Sequence, residues 1–135
     1  MQSQIGHIFF YGTLMRTFPL RTFAGIDNWL EYIGDGRVSG VLFDLGCYPG
    51  LVVDSCSQVC GEVYRILDPI KLFARVDQIE DYRAATPKEG QYVRQTRDAM
   101  LEDGRARLVW CYVYNQPLPP SVRIEGGDYR SYAKP

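Results

Sequence analysis

An apolar run that ends in a glycine stands near the start of the chain, and the other segments are best understood around it. Residues 8–11 are Ile, Phe, Phe and Tyr, and Gly12 follows them directly. β-Branched and aromatic residues in a run of this length are typical of a buried strand. Glycine lets the backbone turn where a Cβ atom would resist. We therefore expect a buried first strand that ends in a turn at Gly12.

The turn after this strand is a candidate anion-binding site. A strand that ends in this way exposes successive backbone N–H groups beyond its last residue, and such groups can form a concavity that binds an anion. We expect Gly12, Thr13 and Leu14 to present main-chain donors to a carboxylate or an oxyanion. A buried strand followed by an ordinary turn, without a ligand, explains the same residues and is the more common case.

Length and charge favour one domain over residues 1–135 and exclude some partners. The chain has 135 residues, of which 46% are hydrophobic, and its formal net charge is −1. Because no basic surface is implied, nucleic acid is not expected as a partner. No apolar run approaches the roughly 20 residues of a membrane span, and the polar residues 1–4 do not resemble a signal peptide. We therefore expect a cytoplasmic protein.

The cysteines and the histidine do not form a metal-binding or nucleophile motif. The cysteines are Cys47, Cys56, Cys60 and Cys111, and the one histidine, His7, lies in the first strand. Cys56 and Cys60 are four positions apart, which is not the spacing of a zinc site. We therefore expect free thiols and no metal ion or cofactor. A Ser-His-Asp or Cys-His nucleophile would have to use His7, which disfavours that class of enzyme.

Most of the remaining chain is predicted to be extended. Sequence patterns favour strands at 37–44, 51–53, 58–66, 91–97 and 105–114. Asp35-Gly36 and residues 102–104 are predicted turns, the second of them in a hairpin. Pro19 and Gly25 limit the segment before these strands to a loop and a short helix. We therefore expect an α+β fold in which a closed or nearly closed, antiparallel-rich sheet packs on a helix.

The clearest helix lies in the middle of the chain. Asp68 is predicted to cap it, Pro69 suits its first turn, and residues 70–82 propagate it. At about 100° per residue its apolar stripe consists of Leu72, Phe73, Val76 and Ile79.

Glu80 falls within this apolar face, whereas Asp77 and Asp81 are predicted to point toward solvent. A carboxylate on a buried face is costly unless it has partners or a function. Burial also raises its pKa and makes it a better base near neutral pH. Glu80 is therefore a candidate acid/base. The alternative is an acid at the end of a helix that bends out to water or pairs with an arginine.

A series of short motifs occurs in a fixed order along nearly the whole chain. The motifs are Y-G-T-L at 11–14, L-F-D-L-G at 42–46, Y-P-G-L at 48–51, G-E-V-Y at 61–64, V-D-Q-I-E-D-Y at 76–82, Y-V-R at 92–94 and G-G-D-Y at 126–129. In this order they resemble the motifs of the γ-glutamylcyclotransferase-like family, which includes γ-glutamylamine cyclotransferase and the AIG2-like proteins. The departures are small: Asp81 replaces the commoner glycine, Tyr129 replaces tryptophan, and Val76 stands where leucine is usual.

The resemblance implies a small mixed barrel with packed helices and a defined site. In the family the Y-G-[ST]-L loop binds the glutamyl part of the substrate, largely through backbone N–H groups. Carried over, this loop is Tyr11, Gly12, Thr13 and Leu14. The family's acid/base is the helix glutamate, which corresponds to Glu80. The loop at 83–91 is longer than in the shortest members, and we expect it to influence specificity.

The reaction implied by the resemblance is an intramolecular cyclisation of the transferase or lyase type, without a metal ion or cofactor. Glu80 takes a proton from the substrate's α-amino group, which attacks the γ-carbonyl of the same glutamyl unit. The products are 5-oxoproline and a free amine, which receives the proton from Glu80. The leaving group is an amino acid, an amine such as a lysine side chain, or a larger amine. The sequence does not choose among them.

Two other classes of function stay open at this point. One is a small-molecule-binding module of the same fold without turnover, and the other is an interaction protein whose ten tyrosines form an interface. An intact acid at position 80 favours the enzyme. Neither the oligomeric state nor the biological pathway follows from the sequence.

Overall fold

Eight strands and three α-helices make up the part of the chain that the structure, a computed structural model, describes, which is residues 5–134. Residues 1–4, predicted not to be a signal peptide, lie outside the described residues, as does residue 135. The strands are β1 (His7–Phe10), β2 (Leu30–Ser39), β3 (Val41–Asp44), β4 (Pro49–Val52), β5 (Gln58–Ile66), β6 (Tyr92–Leu101), β7 (Ala106–Tyr114) and β8 (Val122–Arg123). The helices are α1 (Pro19–Ala24), α2 (Pro69–Ile79) and α3 (Tyr129–Ala133), with 3₁₀ turns at Asp27–Trp29 and Pro87–Glu89.

Five of the strands close into a barrel in the order β1-β5-β2-β6-β7. All neighbouring pairs are antiparallel except β1 and β7, which run parallel where Ile8 lies opposite Trp110. A second, three-stranded sheet has the order β4-β3-β8. The predicted α+β fold with an antiparallel-rich closed sheet is therefore confirmed. None of the helices in residues 5–134 is long and apolar enough to cross a membrane.

Long-range pairing changes both boundaries of one predicted strand. The sequence predicted one strand over 37–44, but β2 ends at Ser39 and Val41–Asp44 form β3 of the second sheet. It also predicted a turn at Asp35-Gly36, but both turn residues lie inside the ten-residue strand β2. They pair with Glu62 and Gly61 of β5, which continues the ladder through the expected turn. A register shift between Tyr32 and Gly34 absorbs the local irregularity. The strand predicted at 58–66 and the hairpin between β6 and β7 are confirmed.

Helix α2 begins as predicted and ends earlier. The Asp68 side chain accepts a hydrogen bond from Lys71 N–H at 3.1 Å, and Leu72 and Val76 are fully buried. The helix ends at Ile79 rather than at residue 82. Asp81 has φ +55°, in the left-handed region, and Tyr82 N–H donates to Asp77 C=O at 2.9 Å. This closing pattern is a Schellman motif, and it makes Glu80 the C-cap residue.

Gly61 on β5 should tolerate no side chain because β1 passes directly over it. A Cβ atom at Gly61 would collide with the backbone oxygen of Phe10 and would lie 2.7 Å from Cζ of Phe9. We expect Gly61→Ala to lower the free energy of unfolding by about 1–3 kcal/mol or more, since backbone and a buried ring must both shift. Gly6→Ala is the control, because nothing lies within 4 Å of a Cβ atom there. Its effect should stay within about 0.5 kcal/mol in urea unfolding. Equal stability of the two variants would contradict this packing.

Candidate active site

A pocket lies between the loop that follows β1 and the C-terminal end of α2. Its lining includes Tyr11, Gly12, Thr13, Leu14 and Glu80. These are the five residues that the sequence predicts for the site, and they come from segments almost 70 positions apart. The structure therefore brings the predicted loop and the predicted acid to one cavity.

The loop after β1 offers unused main-chain donors. Met15 N–H donates to Gly12 C=O at 3.0 Å, which folds the loop back on itself. Within residues 5–134, the N–H groups of Gly12, Thr13 and Leu14 donate to no backbone or side-chain acceptor. Adjacent unused amides of this kind suit an anionic or carbonyl oxygen.

Gly12 is required by packing rather than by backbone conformation. Its φ is not in the left-handed region. A Cβ atom there would lie 2.9 Å from Cγ and 3.0 Å from Cδ of Pro49. The expectation that Gly12 serves the turn through its conformational freedom is therefore corrected, because the close approach of the Pro49 ring is what excludes a side chain.

Glu80 is half-buried at the pocket wall and its carboxylate is unpaired within the described part of the chain. No side chain or N–H group there donates a hydrogen bond to it, and no cation lies within salt-bridge distance. Burial raises the pKa of Glu80 from 4.5 to about 7, because the ionised form loses hydration. The sequence left open that Glu80 pairs with an arginine, and the structure shows no such pair within the described residues.

Several tyrosines line the pocket together with Glu80, and the hydroxyls of Tyr11 and Tyr92 already donate to backbone carbonyls. Tyr11 OH donates to Tyr112 C=O at 2.6 Å and accepts from Leu51 N–H at 3.2 Å. Tyr92 OH donates to Pro49 C=O at 2.6 Å. Burial, with a smaller contribution from nearby charge including that of Glu80, raises the pKa of Tyr11 well above its usual value. These phenols therefore shape the pocket as neutral groups and are not available as proton donors.

Helix α2 is held on the barrel by Asp77, whose predicted orientation was wrong. Asp77 was predicted to point toward solvent, but its carboxylate accepts from Arg94 Nε at 2.9 Å and Nη2 at 3.1 Å. Tyr112 OH donates to the same carboxylate. Arg94 and Tyr112 lie directly opposite each other on β6 and β7. This contact fixes the last turn of α2, three residues before Glu80.

Several pocket residues were not predicted as part of the site. They are Leu20, Tyr48, Pro49, Gln91, Tyr92 and Tyr112. Gln91 Nε2 donates to Tyr48 OH, which joins the loop before β4 to the start of β6. Tyr48 and Tyr92 occur in the Y-P-G-L and Y-V-R motifs, which predict the fold but name no site residue. Their positions in those motifs were the available signal, because spacing along the chain does not show that they meet.

Residues that commonly bind metals do not cluster here. Within residues 5–134, no three His, Cys, Asp or Glu side chains are placed so that they could hold a metal ion. The four cysteines are free; Cys111 is buried, and Cys47 and Cys56 are exposed.

The sequence of nearly the whole chain matches a known class of protein. The sequence model described as "Gamma-glutamyl cyclotransferase, AIG2-like" matches residues 8–131. The chain therefore belongs to the AIG2-like γ-glutamyl cyclotransferase family.

Individual relatives agree with this assignment. The γ-glutamylcyclotransferase family protein YtfP of Escherichia coli K12 is 32% identical over 126 residues, which cover 90% of this chain and 94% of YtfP. The solution structure of the Escherichia coli protein superposes with a TM-score of 0.64 at 30% identity, covering 94% of this chain and 98% of that chain. The crystal structure of an AIG2-like protein from Mus musculus has a TM-score of 0.69 at 23% identity, with 91% and 88% coverage, and shows the same fold.

The raised pKa of Glu80 predicts a pH-dependent stability difference. Between pH 4.5 and 7 the folded protein holds a proton that the unfolded chain has released. The stability that Glu80 contributes is therefore complete below about pH 4.5 and is lost as the pH rises through about 7. Glu80→Gln stays neutral, so its free energy of unfolding relative to the native protein should rise by about 1–3 kcal/mol from pH 5 to pH 8.

Urea unfolding at the two pH values measures this difference. The control is Glu89→Gln, because Glu89 is an exposed acid outside the pocket lining, with 66% of its side chain accessible. Its effect should be within about 0.5 kcal/mol at both pH values. A Glu80→Gln difference that does not change with pH would show that the carboxylate is well hydrated.

Proposed function

We propose that this protein is a γ-glutamyl cyclotransferase that converts a γ-glutamyl amino acid or amine into 5-oxoproline and a free amine, with Glu80 as general acid and base. One observation carries the proposal. An unpaired carboxylate with a pKa near 7 and the unused amides of Gly12, Thr13 and Leu14 line the same pocket. Membership of the cyclotransferase family supports it.

The substrate supplies its own nucleophile. The α-amino nitrogen forms a bond to the carbon of the γ-carbonyl group while one of its protons passes to the Glu80 carboxylate. The tetrahedral centre then collapses, the γ-amide bond breaks, and protonated Glu80 returns the proton to the departing nitrogen. Atoms and charge balance without water, a metal ion or a cofactor. A group with a pKa near the working pH can perform both transfers, which typically contribute 10²- to 10⁴-fold in rate.

The pocket's part in ring closure is to hold the glutamyl chain in a bent conformation. Well-oriented intramolecular reactions reach effective molarities of about 10⁵ M or more. Glu80 is the only charged side chain in the described pocket lining, so the loop amides are the groups suited to receive the oxygens of the glutamyl unit. Donors aimed at the γ-carbonyl oxygen also stabilise the charge that develops there.

Glu80→Gln should abolish the release of 5-oxoproline. We expect kcat to fall by about 10²- to 10⁴-fold, because the amide can neither accept nor return the proton. The measurement is 5-oxoproline formation from a panel of γ-glutamyl amino acids and amines. Glu89→Gln is the control and should keep full activity. Full turnover by Glu80→Gln would remove Glu80 from the mechanism. Binding of 5-oxoproline without turnover of any donor by the native protein would instead support a non-catalytic binding module.

The pH dependence of the native enzyme gives a second test. Because Glu80 must be ionised to accept the proton, kcat/KM should increase about tenfold per pH unit below pH 7, until the carboxylate is mostly ionised. The initial rate with one donor across pH 5 to 8 measures this. A profile that is flat from pH 5 upward would mean that the essential base titrates near the ordinary value for a glutamate.

A further inference from the structure

Two charged side chains are buried beside the pocket and have no part in the proposed chemistry. Glu62 is 1% exposed and Arg21 is 6% exposed, and neither lines the pocket. Charges are buried in proteins at a cost unless hydrogen bonds satisfy them. The partners of these two residues therefore indicate what they are for.

Glu62 holds the far end of the loop that follows β1. Its Oε1 accepts from Arg16 N–H at 3.0 Å and from Tyr64 OH at 2.7 Å, and its Oε2 lies 3.3 Å from Arg16 Nε. A longer contact of 3.9 Å joins the same Oε2 to Nη1 of Arg130 on α3. Glu62 lies on β5 directly opposite Phe10, the last residue of β1. Glu62 therefore lies beside the start of the loop, at Phe10, and its carboxylate binds the main chain at the end of the loop, at Arg16.

Arg21 holds the middle of the same loop. Its Nη1 donates to Leu14 C=O and to Tyr64 OH, both at 3.0 Å. Its Nε donates to Asp27 Oδ1 at 2.7 Å. The hydroxyl of Tyr64 therefore accepts from Arg21 and donates to Glu62, which joins the two loop contacts into one network.

These contacts constrain the segment that carries the unused donors. The Leu14 carbonyl, the Arg16 amide and the Gly12 carbonyl each have a fixed partner. The peptide units between them include the amides of Thr13 and Leu14. We propose that Glu62, Tyr64 and Arg21 are positioning residues, which hold the loop amides in the orientation that receives the glutamyl unit without touching the substrate. This inference rests on the proposed function and adds residues to its site.

If these residues preorganise the loop donors, removing them should change substrate binding and not only the stability of the fold. Donors fixed before the substrate arrives lose no conformational freedom when it binds. Releasing the loop should therefore weaken binding of the glutamyl unit, while the proton transfers by Glu80 stay intact. The expected signature is a raised KM and a weaker affinity for 5-oxoproline, with the pH midpoint of kcat/KM unchanged.

Tyr64→Phe is the main test, because it removes the bridging hydroxyl and keeps the ring. We expect KM to rise about 10- to 100-fold, because the variant loses hydrogen bonds to charged groups. The dissociation constant of 5-oxoproline, measured by calorimetry, should rise by a similar factor. The ¹H–¹⁵N resonances of Gly12, Thr13 and Leu14 should also shift in the free protein. Glu62→Gln should change the same quantities in the same direction.

Tyr132→Phe is the matched control. Tyr132 OH also donates to a carboxylate, Asp44 Oδ2 at 2.6 Å, but this contact is exposed and makes no hydrogen bond to the loop that follows β1. This variant should keep the native KM, 5-oxoproline affinity and loop resonances. All variants are compared at a temperature where circular dichroism shows them folded.

If neither Tyr64→Phe nor Glu62→Gln folds, Asp27→Asn is the test. This substitution weakens the hydrogen bond between Arg21 Nε and the exposed Asp27 carboxylate. An increase in KM with this variant would support the network, and a native KM would overturn it.

The outcomes separate this inference from the proposed function. If the native protein releases 5-oxoproline and Tyr64→Phe has the native KM, affinity and loop resonances, the positioning role is overturned and the function stands. If the native protein turns over no γ-glutamyl donor, the proposed function fails. The resonances and the 5-oxoproline affinity then still test whether the network orders the loop: a change in Tyr64→Phe supports that role and native values overturn it.

Discussion

The site depends on how α2 is fixed to the barrel. Asp77 receives two hydrogen bonds from Arg94 and one from Tyr112, across two neighbouring strands. The Arg94 guanidinium also lies 4.0 Å from the centroid of the Phe73 ring. Since Asp77 is in the last turn of the helix, its contacts set the position of the C-cap residue. Glu80 is consequently held at the pocket wall with no polar partner of its own in the described chain.

The two sides of the pocket are supported by separate networks of charged groups. On one side, Asp77 and Arg94 orient the helix end that carries the acid. On the other side, Glu62 and Arg21 contact the loop that carries the unused amides. Glu62 and Arg21 are buried, whereas Asp77 and Arg94 are partly buried, and none of these four residues lines the pocket. The arrangement leaves the described lining of the pocket with one charged side chain, and burial of that side chain raises the pKa of Glu80.

Local patterns in the sequence predicted much of the fold and pointed to the residues on both sides of the candidate site. The cap at Asp68, the stripe that includes Leu72 and Val76, and the alternation along β5 all depend on neighbours within a few residues. The errors concern contacts between distant segments. Asp77 is hydrogen-bonded by partners 17 and 35 positions later, which no helical pattern reveals. Gln91 and Tyr48 meet across 43 positions. The early end of α2 depends on the left-handed conformation of Asp81. A glycine at this position would have predicted the end of the helix, whereas an aspartate does not.

The central claim is that the pocket itself, through desolvation, makes Glu80 an acid that titrates near neutral pH. A ¹³C NMR titration of the side-chain carboxyl groups tests this most directly, with the resonance of Glu80 assigned by its loss in Glu80→Gln. We predict a midpoint of about 7, well above the ordinary 4.5. A midpoint near 4.5 would show that water or an unrecognised donor solvates the carboxylate, and it would contradict the account.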